Sequence, residues 1–303
     1  MKSFTTTILP LIAFTFTAVS FADAPVTLQR EGDQITVKIG DAPLAVYNTS
    51  KELAKPFFSP VYDPNGTIIS RPLENPEDHK HHKGIWVSID EVNGIKFWAE
   101  TGKIENISAA LHDADGDGPA SLQVVNHWQG EDGKPVVIET TTIGIFPNRL
   151  MTYDIVFTAT DGPVTFGDTK EGLLGFRMIN SMREKETGKV VNADGKQGTA
   201  ECWGQPSAWV DYYGEAEGKI VGVTLMDHPD NFRPSRYHVR DYGLFSMSPF
   251  GEKAYTGGAS ESEPVVVEKG ESLRLRYGLY IHNGDTLEGK VAEAYKQFLS
   301  ATK

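Results

Sequence analysis

Between Val26 and Gly284 apolar residues recur at every second position in short runs, and nearly every run closes on glycine, proline or asparagine. A two-residue period puts alternate side chains on opposite faces of a strand and cannot give a helix one apolar stripe. Val26-Thr27-Leu28-Gln29 and Ile35-Thr36-Val37-Lys38-Ile39 alternate around Gly32-Asp33, which predicts a hairpin. Further strands are predicted over Leu122 to Val125, Val136 to Ile145, Met151 to Phe157, Ile220 to Leu225 and Leu273 to Ile281. Turn signals lie between them at Pro64-Asn65-Gly66, Asn93-Gly94, Asp132-Gly133, Asp161-Gly162 and Asp194-Gly195, and 30 glycines with 17 prolines suit a strand-and-turn chain.

No linker, low-complexity tract or internal repeat interrupts this pattern. The expected fold is all-β, a large antiparallel two-sheet β-sandwich in a single domain over residues 25–303, with a small barrel as the alternative. One helix is predicted at the C-terminus. Asp285 to Glu288 reads as a capping box, and Leu287, Val291, Ala294, Tyr295 and Phe298 follow at helical spacing.

Residues 1–24 read as a signal peptide: Lys2, a mostly apolar Ile8 to Val19, and the small residues of Ala22-Asp23-Ala24 for cleavage. The apolar run is short for a bilayer span, so the expectation is a periplasmic or secreted protein without stable membrane insertion. Cleavage removes Lys2 and Asp23, one charge of each sign, and leaves the net charge of −12 unchanged. Such an acidic chain lacks the clustered Lys and Arg that nucleic acid needs. With Cys202 as the single cysteine, no intramolecular disulfide can form, and stability rests on burial. Cys202 itself reads as a buried apolar residue.

Chemistry concentrates in three segments. The first is Asp78-His79-Lys80-His81-His82-Lys83-Gly84, ahead of the apolar run Ile85 to Ile89. If that strand began at His81, His79 and His81 would share a face with His82 opposite, a workable geometry for a metal. Lys80 and Lys83 oppose a cation, so proton transfer with Asp78 orienting a histidine is preferred; exposed loop histidines are the plain reading. The second runs Asp227-His228-Pro229 to Arg233, Arg236, Tyr237-His238-Val239-Arg240-Asp241, where arginine forks suit carboxylates or sugar hydroxyls. Its plain reading is an ion-pair network. The third, Asp168-Thr169-Lys170-Glu171-Gly172 before Leu173-Leu174, holds carboxylates near apolar walls that could act as acid or base, or be a charged turn.

Two or three of Trp86, Trp98, Trp203, Trp209, Tyr212, Tyr213 and Tyr242 are expected to wall a cleft, since sugar C–H faces stack on rings. Asp113 to Gly118 matches half of a calcium loop, but Val124 stands where a bidentate Glu is required, so a tight hairpin turn is preferred. A copper histidine brace would need histidine at the mature N-terminus, where Asp23 and Pro25 stand.

Several stretches together resemble a family of exported bacterial proteins catalogued as "methane oxygenase PmoA-like". They are Arg71-Pro72 through the histidines to Gly84-Ile85-Trp86, Asn93-Gly94-Ile95-Lys96-Phe97-Trp98, and Asp168 to Gly172. Trp203-Gly204 with Trp209-Val210-Asp211-Tyr212, and Asp227-His228-Pro229 to Pro249-Phe250-Gly251, complete the match. The methane monooxygenase subunit of that name spans the membrane several times, unlike this chain. The resemblance implies a β-sandwich of the aldose-epimerase kind and mildly favours a carbohydrate substrate.

The leading expectation is a carbohydrate-active hydrolase, lyase or epimerase. His81, His228, His238, Asp168 and Glu171 are its acid–base candidates. His79, His82, Lys170, Arg177, Trp209, Arg233, Arg240 and Asp241 are its substrate-binding candidates, and all three segments should converge in one cleft. No cofactor is expected, with a metal at His79/His81 as a lesser possibility. A non-catalytic glycan-binding module and a metal-dependent oxidase or oxygenase are the alternatives.

Overall fold

The computed structural model describes residues 24–74, 76–114 and 118–303. Residues 1–23, read from the sequence as part of a signal peptide, and residues 115–117, within the turn expected over Asp113 to Gly118, lie outside the described residues. In chain order the strands begin with β1 (Val26–Glu31), β2 (Gln34–Ile39), β3 (Ala42–Asn48), β4 (Phe57–Val61) and β5 (Ile85–Val87). There follow β6 (Lys103–His112), β7 (Ala120–Gln129), β8 (Pro135–Ile145), β9 (Leu150–Thr158), β10 (Val164–Phe166), β11 (Leu174–Arg177) and β12 (Lys189–Asn192). The last are β13 (Trp209–Ala216), β14 (Lys219–Asp227), β15 (Arg236–Val239), β16 (Leu244–Ser248), β17 (Val265–Val267) and β18 (Ser272–Asn283). Three short helices are α1 (Thr199–Cys202), α2 (Glu252–Thr256) and α3 (Val291–Ala301).

The strands form two eight-stranded sheets, in the orders β1-β2-β3-β4-β5-β11-β16-β15 and β12-β13-β14-β18-β9-β8-β7-β6, with β10 and β17 paired apart from both. Pairing is antiparallel throughout the two sheets. Every alternating run read from the sequence lies in a strand, including the β1–β2 hairpin turning at Gly32-Asp33. One continuous core, drawn from the inner faces of both sheets, fills the space between them. Side-chain parity explains why: along β7 every second residue is buried, and along β2 Ile35, Val37 and Ile39 point inward.

Some strands are buried on both faces. All five residues of β16 are buried, as are the last seven of β14. Outside β14, β9 and β18 lies α3, whose Ala294 and Phe298 pack on Leu150 and Met226. Outside β5, β11 and β16 lies a second, aromatic cluster of Phe57, Trp86, Trp98 and Leu244.

Two sequence expectations change. The capping-box bonds form, since Asp285 Oδ1 accepts from Leu287 N and Glu288 N, and Glu288 Oε2 accepts from Asp285 N. They close only a turn, however, because Lys290 takes a left-handed φ of 52° and the helix starts at Val291. Leu287 is left 86% exposed, off the apolar stripe assigned to it. The histidine segment is likewise a turn: His82 N donates to His79 O at 2.9 Å, and β5 begins only at Ile85.

Candidate active site

The outer face of the first sheet follows from parity. On β5, β11, β16 and β15 the residues Ile85, Leu174, Phe176, Phe245, Met247, Tyr237 and Val239 enter the core. Their neighbours Trp86, Gly175, Arg177, Leu244, Ser246, His238 and Arg240 must therefore point outward. The pairings Trp86↔Gly175, Gly175↔Ser246 and His238↔Ser246 set these four in one row across the sheet. Gly175 has no substitute there, since a Cβ would lie 2.8 Å from Trp86 Cζ2. The row continues past β5, where Ser88 N donates to Leu173 O at 2.9 Å and Asp90 N to Glu171 O at 3.0 Å. Trp86, Ser88 and Asp90 thus share the outer face, and the ladder brings Asp90 opposite Glu171.

The histidine turn folds over this floor. Gly84, at φ 37°, allows it: a Cβ there would collide with the Phe58 carbonyl oxygen. Arg71 organises it, with Nη1 donating to the carbonyl and carboxylate of Asp78 and Nη2 to the carbonyls of His79, at 2.8 Å, and His82, at 3.2 Å. Asp78 is shared: its Oδ1 also accepts from Arg177 Nη2 at 3.0 Å, and its Oδ2 lies 3.3 Å from His79 Nδ1. Burial by itself would raise the Asp78 carboxyl, but the Arg177 and Arg71 charges and the Arg177 hydrogen bond hold it below its ordinary value. The rings stack as a column. Trp86 to His82 is 5.5 Å, His82 to His79 is 4.7 Å, and His79 to Tyr242 is 5.2 Å, while His81 meets His82 edge-on at 4.5 Å. The expectation of His79 and His81 on one strand face is replaced by this turn.

Protonation states follow from partners. Arg177 can only donate, so His82 Nδ1, 3.2 Å from Arg177 Nη1, is an acceptor and the proton sits on Nε2. Burial and the charged neighbours keep His82 neutral, its pKa far below normal. His238 is constrained at both nitrogens. Nδ1 donates to Lys170 O at 3.1 Å, and Nε2 accepts from Arg240 Nε at 2.8 Å. Burial pushes its pKa down to about 4, with Arg240 and Lys170 adding to the effect. His81 differs: it makes no side-chain hydrogen bond among the described residues. Burial first, then Lys55 and His79, push it down to about 4. Lys55 is buried beneath Trp86, where it donates to Trp98 O at 3.1 Å and pairs with Glu100 at 3.0 Å; burial lowers it to about 8. Asp90 is 7% exposed, and burial raises its carboxyl against the hydrogen bond it accepts from Ala99 N.

Between these groups lies a solvent-open cleft of about 680 Å³, lined by His79, His81, His82, Asp90, Trp98, Lys170, Glu171, His238, Arg240 and Tyr242. Glu171 pairs with Lys170 at 2.9 Å and lies 3.6 Å from His238 Nδ1. Asp90, Arg71 and Lys55 were not among the sequence candidates, while Tyr242 was one of the aromatics expected to wall a cleft. Only Asp90 had a usable signal, the alternation Trp86-Ser88-Asp90. Among the described residues no three His, Cys, Asp or Glu side chains converge as metal ligands.

The expected convergence in one cleft is corrected for six candidates, His228, Asp168, Arg233, Trp209, Asp241 and Arg177. His228 turns away to pack edge-on against Phe298 of α3, with Nδ1 accepting from Asp230 N. Asp168 caps α2, accepting from Lys253 N at 2.8 Å and Ala254 N at 2.7 Å. Arg233 lies over Phe232 and donates to Pro249 O, and Trp209 packs on the α3 cluster. Asp241 faces the adjoining hollow and pairs with Lys185 at 3.3 Å. Arg177 stands behind the cleft, over the Tyr242 ring at 4.8 Å. Asp227, buried and raised to about 6 by desolvation, holds Asn231 and Ser235 rather than a histidine. Cys202 is buried, with its thiol pushed up to about 11 by desolvation, an inert group as expected.

The sequence profile of DUF6807, a family of unknown function, matches residues 34–296. No curated protein matches. Among solved structures, galactose 1-epimerase from Lactobacillus acidophilus NCFM aligns at TM-score 0.44 and 8% identity, covering 86% of this chain and 100% of its own. A beta-arabinopyranosidase aligns at TM-score 0.44 and 11% identity, covering 79% of this chain and 38% of its own. The GH36 alpha-galactosidase AgaA from Geobacillus stearothermophilus aligns at TM-score 0.40 and 10% identity, covering 87% and 41%.

Proposed function

The chain belongs to DUF6807, a family of unknown function, and we propose that it is an exported enzyme acting on a carbohydrate by general acid–base catalysis, of the hydrolase, lyase or epimerase type. The observation that carries this reading is His81. It is an imidazole kept neutral and without a hydrogen-bond partner among the described residues, in one cleft with Asp90 and Glu171. Burial pushes the His81 imidazole down and the Asp90 carboxyl up, so both favour their neutral forms, one able to accept a proton and the other to donate one. In this reading His81 takes or returns the proton and Asp90 or Glu171 is its carboxylate partner. Lys170 and Arg240 hold hydroxyls or a developing oxyanion, and Tyr242 walls the sugar. His238, with both nitrogens engaged, positions Arg240. His228 and Asp168 have no part.

The same geometry favours catalysis over a binding module. A module that displays sugars needs exposed rings, whereas Trp86 and Trp98 are 2% and 1% exposed, and a buried carboxyl sits beside them. No metal is assigned, because Lys55, Arg71 and Arg177 surround the histidines with positive charge. Dialysis against a chelator should leave turnover unchanged.

The test is a mass-spectrometric screen of the purified protein against plant and algal polysaccharides and oxidised (keto) glycosides, beside His81→Gln and Glu171→Gln. Turnover by the wild-type protein should fall by about 10²-fold or more in His81→Gln, with carbohydrate binding retained. Undiminished turnover in that variant, or binding of carbohydrate without turnover by the wild-type protein, would sink the reading.

A further inference from the structure

Arginines in this chain are almost all spoken for. Arg71 and Arg177 bind Asp78, Arg236 binds Glu252 at 2.6 Å, Arg183 binds Glu186, Arg274 binds Asp154 and Arg276 binds Asp230. Arg30, Arg149 and Arg233 donate to backbone carbonyls. Arg240 is the exception among the described residues: its two terminal nitrogens meet neither a carboxylate nor a carbonyl, and they are not buried. The acids nearest to it in the sheet and cleft are engaged elsewhere, Glu171 with Lys170 at 2.9 Å and Asp241 with Lys185 at 3.3 Å.

The guanidinium is nonetheless held in a fixed orientation. Its Nε donates to His238 Nε2 at 2.8 Å, and its central carbon lies 5.3 Å from the centre of the Trp203 ring. His238 is in turn fixed by donating to Lys170 O. Arg240 lines both the cleft and the hollow beside Trp203. A planar fork with Nε and one face anchored and both Nη groups free is arranged for one occupant, an oxyanion that accepts two parallel hydrogen bonds.

Resting on the carbohydrate reading above, we propose that Arg240 is a pre-oriented clamp for a carboxylate and that the substrate is a sugar acid, its carboxylate received bidentately at the junction of the two hollows. A planar carboxylate matches the fork. A phosphate dianion fits less well, because Glu171 shares the cleft and one guanidinium neutralises one charge. His238 is the positioning residue, the reason this arginine points its edge at the ligand.

Calorimetric titration with a matched pair of probes tests this: an oligogalacturonate and the same oligomer methyl-esterified, which loses the charge and keeps the hydroxyls. Sulfated and phosphorylated oligosaccharides form separate arms. The wild-type protein should bind the free acid about 10-fold or more tightly than the ester, with affinity falling as salt is raised. Arg240→Lys should lose most of that preference and Arg240→Gln all of it, the preference being read as the ratio of acid to ester affinity within each variant and the fold checked by near-ultraviolet circular dichroism. Equal binding of acid and ester by the wild-type protein, or an acid preference that survives in a folded Arg240→Gln, would overturn the clamp and leave the acid–base reading standing. Tighter binding of the sulfated or phosphorylated probes would overturn the choice of carboxylate. If no carbohydrate in any arm binds, the underlying reading fails as well. The salt dependence needs no variant.

Discussion

At the scale of the residue, the most consequential side chain is one that touches no substrate. Arg71 is 7% exposed and serves three backbone carbonyls and one carboxylate of the histidine turn. Arg71→Ala removes the donor to the Asp78 and His82 carbonyls, leaves the Asp78 carboxylate to Arg177 alone, and should cost roughly 3 kcal/mol. It should also release His79, held at a left-handed φ of 40°, and with it the ring column. A thermal melt, with the histidine ring resonances followed by NMR, would read both effects; an unchanged melting temperature and unchanged ring shifts would contradict the assignment. His81 makes a second prediction. Its pKa is lowered to about 4, so as a proton acceptor it stays competent through neutrality, and kcat/KM should fall only as the pH drops through about 4. A limb near 6.5, the ordinary value for imidazole, would place the working base elsewhere.

At the scale of the element, docking of the C-terminal segment depends on a buried charge pair. His282 Nε2 lies 3.0 Å from Asp211 Oδ1, while Thr286 donates to Asp211 Oδ2 and ties down the turn before α3. Burial alone would lower the His282 pKa, but the Asp211 charge and hydrogen bond outweigh it and the net shift is upward. A raised histidine pKa stabilises the fold fully below the unfolded value near 6.5, and that contribution is lost as the pH rises through the folded value. Denaturant unfolding should therefore show stability declining above neutrality. In Asp211→Asn this pH dependence should vanish, with a loss of about 3–5 kcal/mol near pH 6. A wild-type curve flat between pH 6 and 10 would refute the pair's role. His238 works with the opposite sign: its pKa is lowered to about 4, so its contribution is present above the unfolded value and is lost as the pH falls from about 6.5 through 4.

At the scale of the whole molecule, one core shared by both sheets should unfold as a unit. Scanning calorimetry of residues 25–303 should give a single transition, insensitive to reductant because Cys202 is alone and buried. Two resolved transitions would divide the chain into domains. The alternation of apolar residues determined the strands it runs through, such as β2 and β7, and their inward faces, because a two-residue period with one buried side admits no other register. Strands buried on both faces, such as β16, and the choice of a sandwich over a barrel came from the tertiary structure. Local chemistry also marked the histidine turn, Lys170-Glu171 and His238-Arg240 as components of a site. What sequence could not supply was partnership across the fold. His228 and His238 carry similar neighbours along the chain, yet one end of that segment packs beneath α3 and the other lies in the cleft. Asp168 and Glu171, three residues apart, divide between a helix cap and the site. Asp90 matters because the ladder past β5 sets it opposite Glu171, and Arg240 because Glu171 and Asp241 are paired with lysines instead. Those assignments depend on pairings between residues distant in the chain, so only the tertiary structure could decide which polar groups were satisfied and which were left free to act.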